Sequence, residues 1–276
     1  MFCDGLIFMV PWLSICIPSY NRAEMGYNLV QRLISFPGDF EVCVFVDGST
    51  DDTIFKLSGL TDSRLIVRGG DNRGRGSALR SSVEMARGVF VMIYDDDDDV
   101  FLEGLNSVLR DCQLCLPQGC VGFVYLMTDE RGEIVGSILP EGRANFLALR
   151  FDDKVTGDKK EVVLRERLLS VFSDSERNYR RVPTSLYWMR LATNCDVICR
   201  NVVVGKKRYL SSGLSRNINR TKLDNPCPML MLHMVHIKSF FIRRYVSKYA
   251  FIRSVAGALF YATICSLNRC RDKWFK

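Results

Sequence analysis

From Asn225 to Arg271 the sequence holds no aspartate or glutamate, yet it carries Lys238, Arg243, Arg244, Lys248, Arg253, Arg269 and Arg271 among Phe, Ile, Val and Leu. A basic, apolar segment of this kind suits an anionic membrane surface better than nucleic acid, and no nucleic-acid partner is expected. Its longest uncharged stretch, Ser254 to Asn268, is shorter than the ~20 apolar residues a bilayer-spanning helix needs, so no transmembrane helix is expected. The N-terminus, apolar from Leu6 to Ile17, has no basic n-region, carries Asp4 and is broken by Pro11, which does not resemble a signal peptide. Histidine is nearly absent: there are 2, His233 and His236. They form an HxxH, and Cys112, Cys115 and Cys120 would have to converge on it from a distant segment. That spacing matches no zinc motif, so no structural zinc is expected and the histidines read as core or interfacial. The 11 cysteines are an odd count without a secretory signal or a small disulfide-dense scaffold, which points to a reducing cytosol. Cys16 and Cys43 fall within expected strands as small buried apolar residues. No internal repeat or low-complexity linker divides the 276 residues, a length that allows one large domain, or one with an appendage.

What the chain does contain is five consecutive aspartates, Asp95 to Asp99, directly behind the apolar run Val89 to Tyr94. The run reads as a buried strand. Carboxylates at the carboxyl end of such a strand lie where open α/β sheets bind ligands. Adjacent negative charges repel unless a cation or solvent intervenes, and hard oxygen ligands suit Mg²⁺ or Mn²⁺. A solvated acidic loop is the plain alternative.

Strands and helices alternate over the first 110 residues. Strands are expected at 13–17, 41–46, 64–67 and 89–94, with helices at 27–36, 75–86 and 102–109 and a short one opened by the turn residues 47–52. This order predicts an α/β fold with a mostly parallel sheet and helices on both faces. Beyond Cys120, a hairpin is expected from 121–127 and 134–139, helices at 161–172 and 184–192, a strand at 196–204, and helical, strongly apolar sequence from 229 to 267.

Four loops leave the carboxyl ends of the early strands. They carry Pro18-Ser19-Tyr20-Asn21-Arg22, then Asp47-Gly48-Ser49-Thr50-Asp51, then Asp71-Asn72-Arg73-Gly74-Arg75-Gly76, then the aspartates. A ligand bridging them meets an aromatic ring, a carboxylate, arginines with glycine-permitted backbone approach and a metal site. That mixture fits a nucleotide diphosphate.

The segments LSICIPSYNR (13–22), VFVDGSTDDT (44–53), NRGRGSAL (72–79) and ARGVFVMIYDDDD (86–98) resemble, in order and spacing, the family 2 glycosyltransferases of the GT-A fold. The resemblance covers roughly the first 110 residues. It implies a GT-A (Rossmann-like) domain over 1–225, with a nucleotide-binding half (1–110) and an acceptor half (111–225), followed by a basic amphipathic helical segment over 226–276. It also implies transfer of a sugar, with inversion, from a nucleotide-diphosphate donor to an acceptor hydroxyl. Carried over by the resemblance, Pro18, Tyr20, Asn21, Arg22, Asp47 and Ser49 would hold the nucleotide, Arg75 the diphosphate, and Asp96 the ribose. Asp95 and Asp97 would bind Mg²⁺ or Mn²⁺. One departure is Val46, where the family often writes an acid.

VTGDKKEVV (155–163) and RRVPTSLYW (180–188) resemble a subset of the family more loosely. Relatives are expected to carry an acid near Thr184, and none is there. The general base that an inverting transfer needs is then sought in Asp158 or Glu161; the alternative is that Asp158 caps a helix whose first turn holds Glu161. Arg180-Arg181 can meet an acceptor phosphate or lie at a solvated helix end. Tyr187-Trp188 can form a sugar platform or belong to the core. Such an enzyme would be cytoplasmic, or peripheral on the inner face of the plasma membrane, acting on a saccharide or lipid-linked saccharide in surface polysaccharide synthesis. The alternatives are a nucleotidyltransferase, against which the absence of a glycine-rich loop after the first strand speaks, and a non-catalytic nucleotide-sugar-binding protein.

Overall fold

The computed structural model describes residues 10–179, 181–208 and 222–274. Arg180 lies outside them. The first half alternates as β1 (Leu13–Ser19), α1 (Ala23–Ser35), β2 (Phe40–Asp47), α2 (Thr53–Ser58), β3 (Leu65–Gly70), α3 (Arg75–Met85), β4 (Phe90–Ile93), a two-residue β5 (Asp99–Val100) and α4 (Leu102–Cys112). The second half runs β6 (Cys120–Thr128), β7 (Gly142–Ala144), α5 (Phe146–Phe151), β8 (Lys160–Leu164), α6 (Arg165–Ser170), a 3₁₀ turn at Asp174–Asn178, α7 (Ser185–Ala192), β9 (Asp196–Lys206), α8 (Pro226–Phe241) and α9 (Lys248–Trp274).

These strands form one nine-stranded sheet in the order β3-β2-β1-β4-β8-β6-β9-β5, with β7 on β9. The early strands β3, β2, β1 and β4 pair in parallel. All seven residues of β1 are buried, the mark of a parallel strand covered on both faces. Alternation divides the core. Leu13, Ile15, Ile17, Val42, Val44 and Tyr94 pack beneath Leu29, Leu33 and Leu105. Cys16, Cys43, Val91 and Val163 pack on the other face beneath Leu79, Val83 and Leu186, and that cluster continues to Met229, Leu232 and Tyr245.

Two expectations are corrected. Residues 161–172 are not one helix: Lys160–Leu164 is an antiparallel strand inserted between β4 and β6, and the helix starts at Arg165. The β-branched pair Val162-Val163 fills mid-sheet positions whose backbone groups must be paired, which overrides helical spacing. The hairpin is shorter than expected: Thr128 bridges Ile134 antiparallel and the Val135 amide donates to the Met127 carbonyl at 2.9 Å, but Val135 to Leu139 form no strand and β6 pairs along its length with β8 and β9. The C-terminal segment is helical as expected, in two helices separated near Arg243, whose φ is +58°.

The two helices are fastened to the sheet domain. The Asp152 carboxylate accepts from the Val246 and Ser247 amides at 3.0 and 2.8 Å, next to the start of α9. Arg244 Nε donates to the Thr193 carbonyl at 2.8 Å. Within α9, Lys248–Leu267 (20 residues, mean hydropathy 1.5) is long and apolar enough to cross a membrane by length and composition. The expectation of no such segment counted only uninterrupted uncharged residues. Lys248 and Arg253 interrupt that count without interrupting the helix.

Candidate active site

The carboxyl ends of β1, β2, β3 and β4 bring the four loops side by side, and specific bonds join them. Asn21 holds φ +50°, a left-handed conformation that Asn tolerates. Its amide donates to Ser49 Oγ at 2.9 Å, and its side-chain oxygen accepts from the Thr50 amide at 2.8 Å. Asp47, buried, accepts from the Arg73 and Gly74 amides at 2.9 and 2.8 Å. Gly48 has φ +62°, and a Cβ there would sit 2.4 Å from the Asn72 nitrogen, so only glycine lets the second and third loops touch. Asn21, Ser49 and Asp47 therefore lock loop to loop. Tyr20 is 45% exposed at the rim, and Pro18 is buried within β1.

The aspartates alternate. Asp96 and Asp98 are buried, while Asp95, Asp97 and Asp99 keep part of their surface open. Ser19 Oγ donates to Asp96 Oδ2 at 2.7 Å. Arg22 lies 3.6 Å from Asp97. Arg75 forms an ion pair with Asp95 and also donates to Thr184 Oγ1 at 2.7 Å. Lys207, at the end of β9, stands 3.2 Å from Asp95, 3.7 Å from Asp98 and 3.4 Å from Asp158. Lys160 meets Asp98 at 3.3 Å and stacks over the Tyr94 ring at 4.1 Å. Sequence reasoning missed both lysines. Lys207 reaches the acids only because β9 runs between β6 and the two-residue β5 that follows the aspartates, and nothing local in Gly205-Lys206-Lys207 announces it.

The electrostatics follow from this packing. Burial works to raise the Asp95 carboxyl, but Arg75, Lys160 and Lys207 outweigh it and hold Asp95 well below the ordinary carboxylate range. Burial pushes Asp96 up to about 6, against its hydrogen bond from Ser19. Burial likewise raises Asp98, against the two lysines.

No three His, Cys, Asp or Glu side chains among the described residues are grouped as metal ligands. The donor set nevertheless fits Mg²⁺ or Mn²⁺, which commonly take one or two carboxylates and complete their shell from substrate phosphates and water. Asp97 is partly open and held only by a 3.6 Å ion pair. Asp98 Oδ1 beside it is a buried acceptor with no partner.

The two candidate bases occupy different places. Asp158 has a side chain 61% exposed and precedes a strand, so it caps no helix. Glu161 follows Lys160 in β8 and alternates onto the opposite face, where its neighbour Val163 joins Leu79 and Leu186. Burial pushes it up to about 7, against Arg150 and Lys160. Tyr187 and Trp188 are both core residues, 2% and 7% exposed. The Tyr187 ring meets Phe172 edge-on and Trp188 stacks on Phe146.

A mixed sheet in this order, with four loops gathered at the carboxyl edge of its parallel half, is the GT-A fold. Residues 14–153, just over half the chain, match the profile of Glycosyl transferase family 2. The chain belongs to that family. It is 30% identical over 131 residues to a chondroitin synthase of Escherichia coli, an alignment covering 46% of this chain and 19% of that protein. The chain spans under a fifth of the length of the first curated relatives it matches. Its fold is similar to that of S. aureus TarS residues 1–349 in complex with UDP (TM-score 0.60, 17% identity, 91% of this chain and 70% of that one). It is also similar to the mannosyltransferase PcManGT of Pyrobaculum calidifontis in complex with GDP-Man and Mn²⁺ (TM-score 0.58, 15% identity, 97% and 81%).

Proposed function

We propose that the protein transfers a sugar from a nucleotide-diphosphate donor to an acceptor hydroxyl, with a divalent cation and with inversion at the anomeric carbon. The observation that carries this reading is the pair of partly open carboxylates, Asp95 and Asp97, at the end of β4, flanked by the guanidinium groups of Arg75 and Arg22. Asp95 and Asp97 would hold Mg²⁺ or Mn²⁺, which when bound neutralises charge on the diphosphate as it leaves. Arg22 and Arg75, released from the two acids, orient the same diphosphate. Tyr20 offers an exposed ring for the base, and Asp96 would meet the ribose. Glu161 takes the proton of the acceptor hydroxyl as its oxygen bonds to the anomeric carbon and the bond to the diphosphate breaks. A carboxyl pushed up to about 7 by burial is matched to that task near neutral pH. The complexes of TarS with UDP and of PcManGT with GDP-Man and Mn²⁺ support the donor class.

Chondroitin synthase as a relative supports polysaccharide synthesis as the setting. The exposed apolar residues of α9 and the absence of acids from Asn225 to Arg271 support a peripheral position on an anionic membrane. A rival reading, a nucleotide-sugar binder without transfer, rests on Thr184, which stands where relatives are expected to carry an acid.

The test is release of nucleoside diphosphate from UDP- and GDP-sugars with Mn²⁺, measured on the wild type, on wild type in EDTA and on Asp97→Ala. Turnover in the first and loss in the other two, with unchanged melting temperature in the variant, are expected. Full turnover in EDTA or in Asp97→Ala would overturn the metal assignment, and binding without turnover of any donor would favour the rival.

A further inference from the structure

A cavity of ≈ 1120 Å³ adjoins the site on the face that carries Glu161. At one end it reaches Arg75, the residue already joined to Asp95, and Thr184. At the other it is walled by α8 and α9. Two properties of its lining are unusual together. Arg75, Arg150, Lys154, Arg181, Lys222 and Arg253 all face it, while no aspartate or glutamate does among the described residues. Arg75 already has Asp95 as a counter-charge; the other basic side chains raise the potential of the hollow and favour an anion there. The opposite wall is apolar, built from Met229, Leu232, Ala250, Phe260 and Tyr261.

The mouth of the cavity is equally informative. Tyr249 and Phe260 line it, and both are also exposed, at 75% and 53%. They belong to a stripe on α9 with Ile252, Leu259 and Leu267, exposed at 65%, 67% and 64%. The positions 249, 252, 259, 260 and 267 recur on one side of a 3.6-residue helix. An apolar stripe bordered by Lys248 and Arg253 suits the boundary of an anionic bilayer, and the cavity opens onto it. Inside, the ring nitrogens His233 Nδ1 and His236 Nε2 are buried without a hydrogen-bond partner, and His236 is only 8% exposed. Burial lowers both imidazoles, His236 to about 3, and because His236 Nδ1 already meets Ser254 Oγ at 3.4 Å, His233 Nδ1 and His236 Nε2 are the nitrogens left for a polar ligand group.

From this combination we infer that the cavity between Arg75 and helices α8 and α9 is the acceptor site, and that its occupant is a membrane lipid whose apolar tail is joined to a phosphate or diphosphate. The tail lies along Met229, Leu232 and Phe260, the cations hold the phosphate, and the sugar-bearing end projects toward Arg75 and Glu161. This inference rests on the donor reading above for the direction of transfer, but the binding it requires can be measured without catalysis.

The probes are farnesyl diphosphate, farnesol and inorganic diphosphate, titrated calorimetrically into the full-length protein, with UDP titrated in parallel. Farnesyl diphosphate is expected to bind at least about tenfold more tightly than either fragment, because both walls contribute. Lys154→Glu/Arg253→Glu should weaken it by about tenfold or more while UDP affinity and melting temperature hold. A second variant, Leu232→Trp, fills the apolar wall and should reduce farnesyl diphosphate binding while leaving inorganic diphosphate unchanged. Diphosphate binding as tightly as farnesyl diphosphate means an anion site for free phosphate, and farnesol doing so means a merely greasy hollow; either overturns the inference. So does unchanged farnesyl diphosphate affinity in both variants. If UDP fails to bind while farnesyl diphosphate behaves as expected, the donor reading fails and the lipid site stands.

Discussion

The Arg75 guanidinium donates to the Thr184 hydroxyl at 2.7 Å through one nitrogen and holds the Asp95 carboxylate through the other. One side chain thus links the donor loop after β3, the acids after β4 and the start of α7. An acid at 184 would compete with Asp95 for the same guanidinium. With threonine there, Arg75 stays with Asp95, and a base has to come from another element. Glu161, on the central strand β8, is the acid proposed for that role.

Asp47 is expected to act first on the loop and only then on the nucleotide. Both its oxygens accept backbone amides. Asp47→Asn turns an NH₂ toward one of those donors and should cost about 1–3 kcal/mol in urea unfolding. Nucleotide affinity should fall with it, because the 71–75 loop loses its anchor. Unchanged stability would mean the two amide bonds contribute nothing.

Glu161 gives a pH signature with a definite sign. Its folded carboxyl is raised from 4.5 to about 7 by burial, so the folded protein holds that proton more tightly than the unfolded chain. Its contribution is full below about pH 4.5 and is lost as pH rises through 7. Glu161→Gln keeps the neutral shape. It should melt higher than wild type above pH 7, converge with it below pH 4.5, and lose transfer at every pH. Transfer that survives in Glu161→Gln and vanishes in Asp158→Asn would move the base to Asp158.

Lys207 serves three carboxylates, and its side chain is only 15% exposed. Lys207→Met should destabilise by about 2 kcal/mol at neutral pH, since it leaves buried acids short of a counter-charge. Asp95 is held low in the folded state, so its contribution is present above the unfolded value near 3.8 and is lost as pH falls. The variant should therefore approach wild type below that pH in thermal melts. A deficit that is constant with pH would point to lost packing instead.

Membrane docking is expected to depend on the α9 stripe. In liposome flotation the wild type should rise with anionic vesicles and less with neutral ones, while Ile252→Glu/Leu259→Glu should stay behind. Equal flotation of the two forms counts against docking through this face.

The sequence alone determined the donor half. Its strands are continuous apolar runs closed by Pro, Gly and Asp, and burial on both faces of a parallel sheet demands that pattern, so the order of loops at the sheet's edge followed from local spacing. The five aspartates were legible for the same reason. Tertiary structure alone decided the acceptor half. Val162 and Val163 carry both helical and strand character, and only the open position between β4 and β6 made them strand and set Glu161 on the face opposite Lys160. Lys160 and Lys207 reach Asp98 across separations of 62 and 109 residues. No local pattern encodes such a pairing, because it is fixed by which strands are neighbours in the sheet and not by which residues are neighbours in the chain.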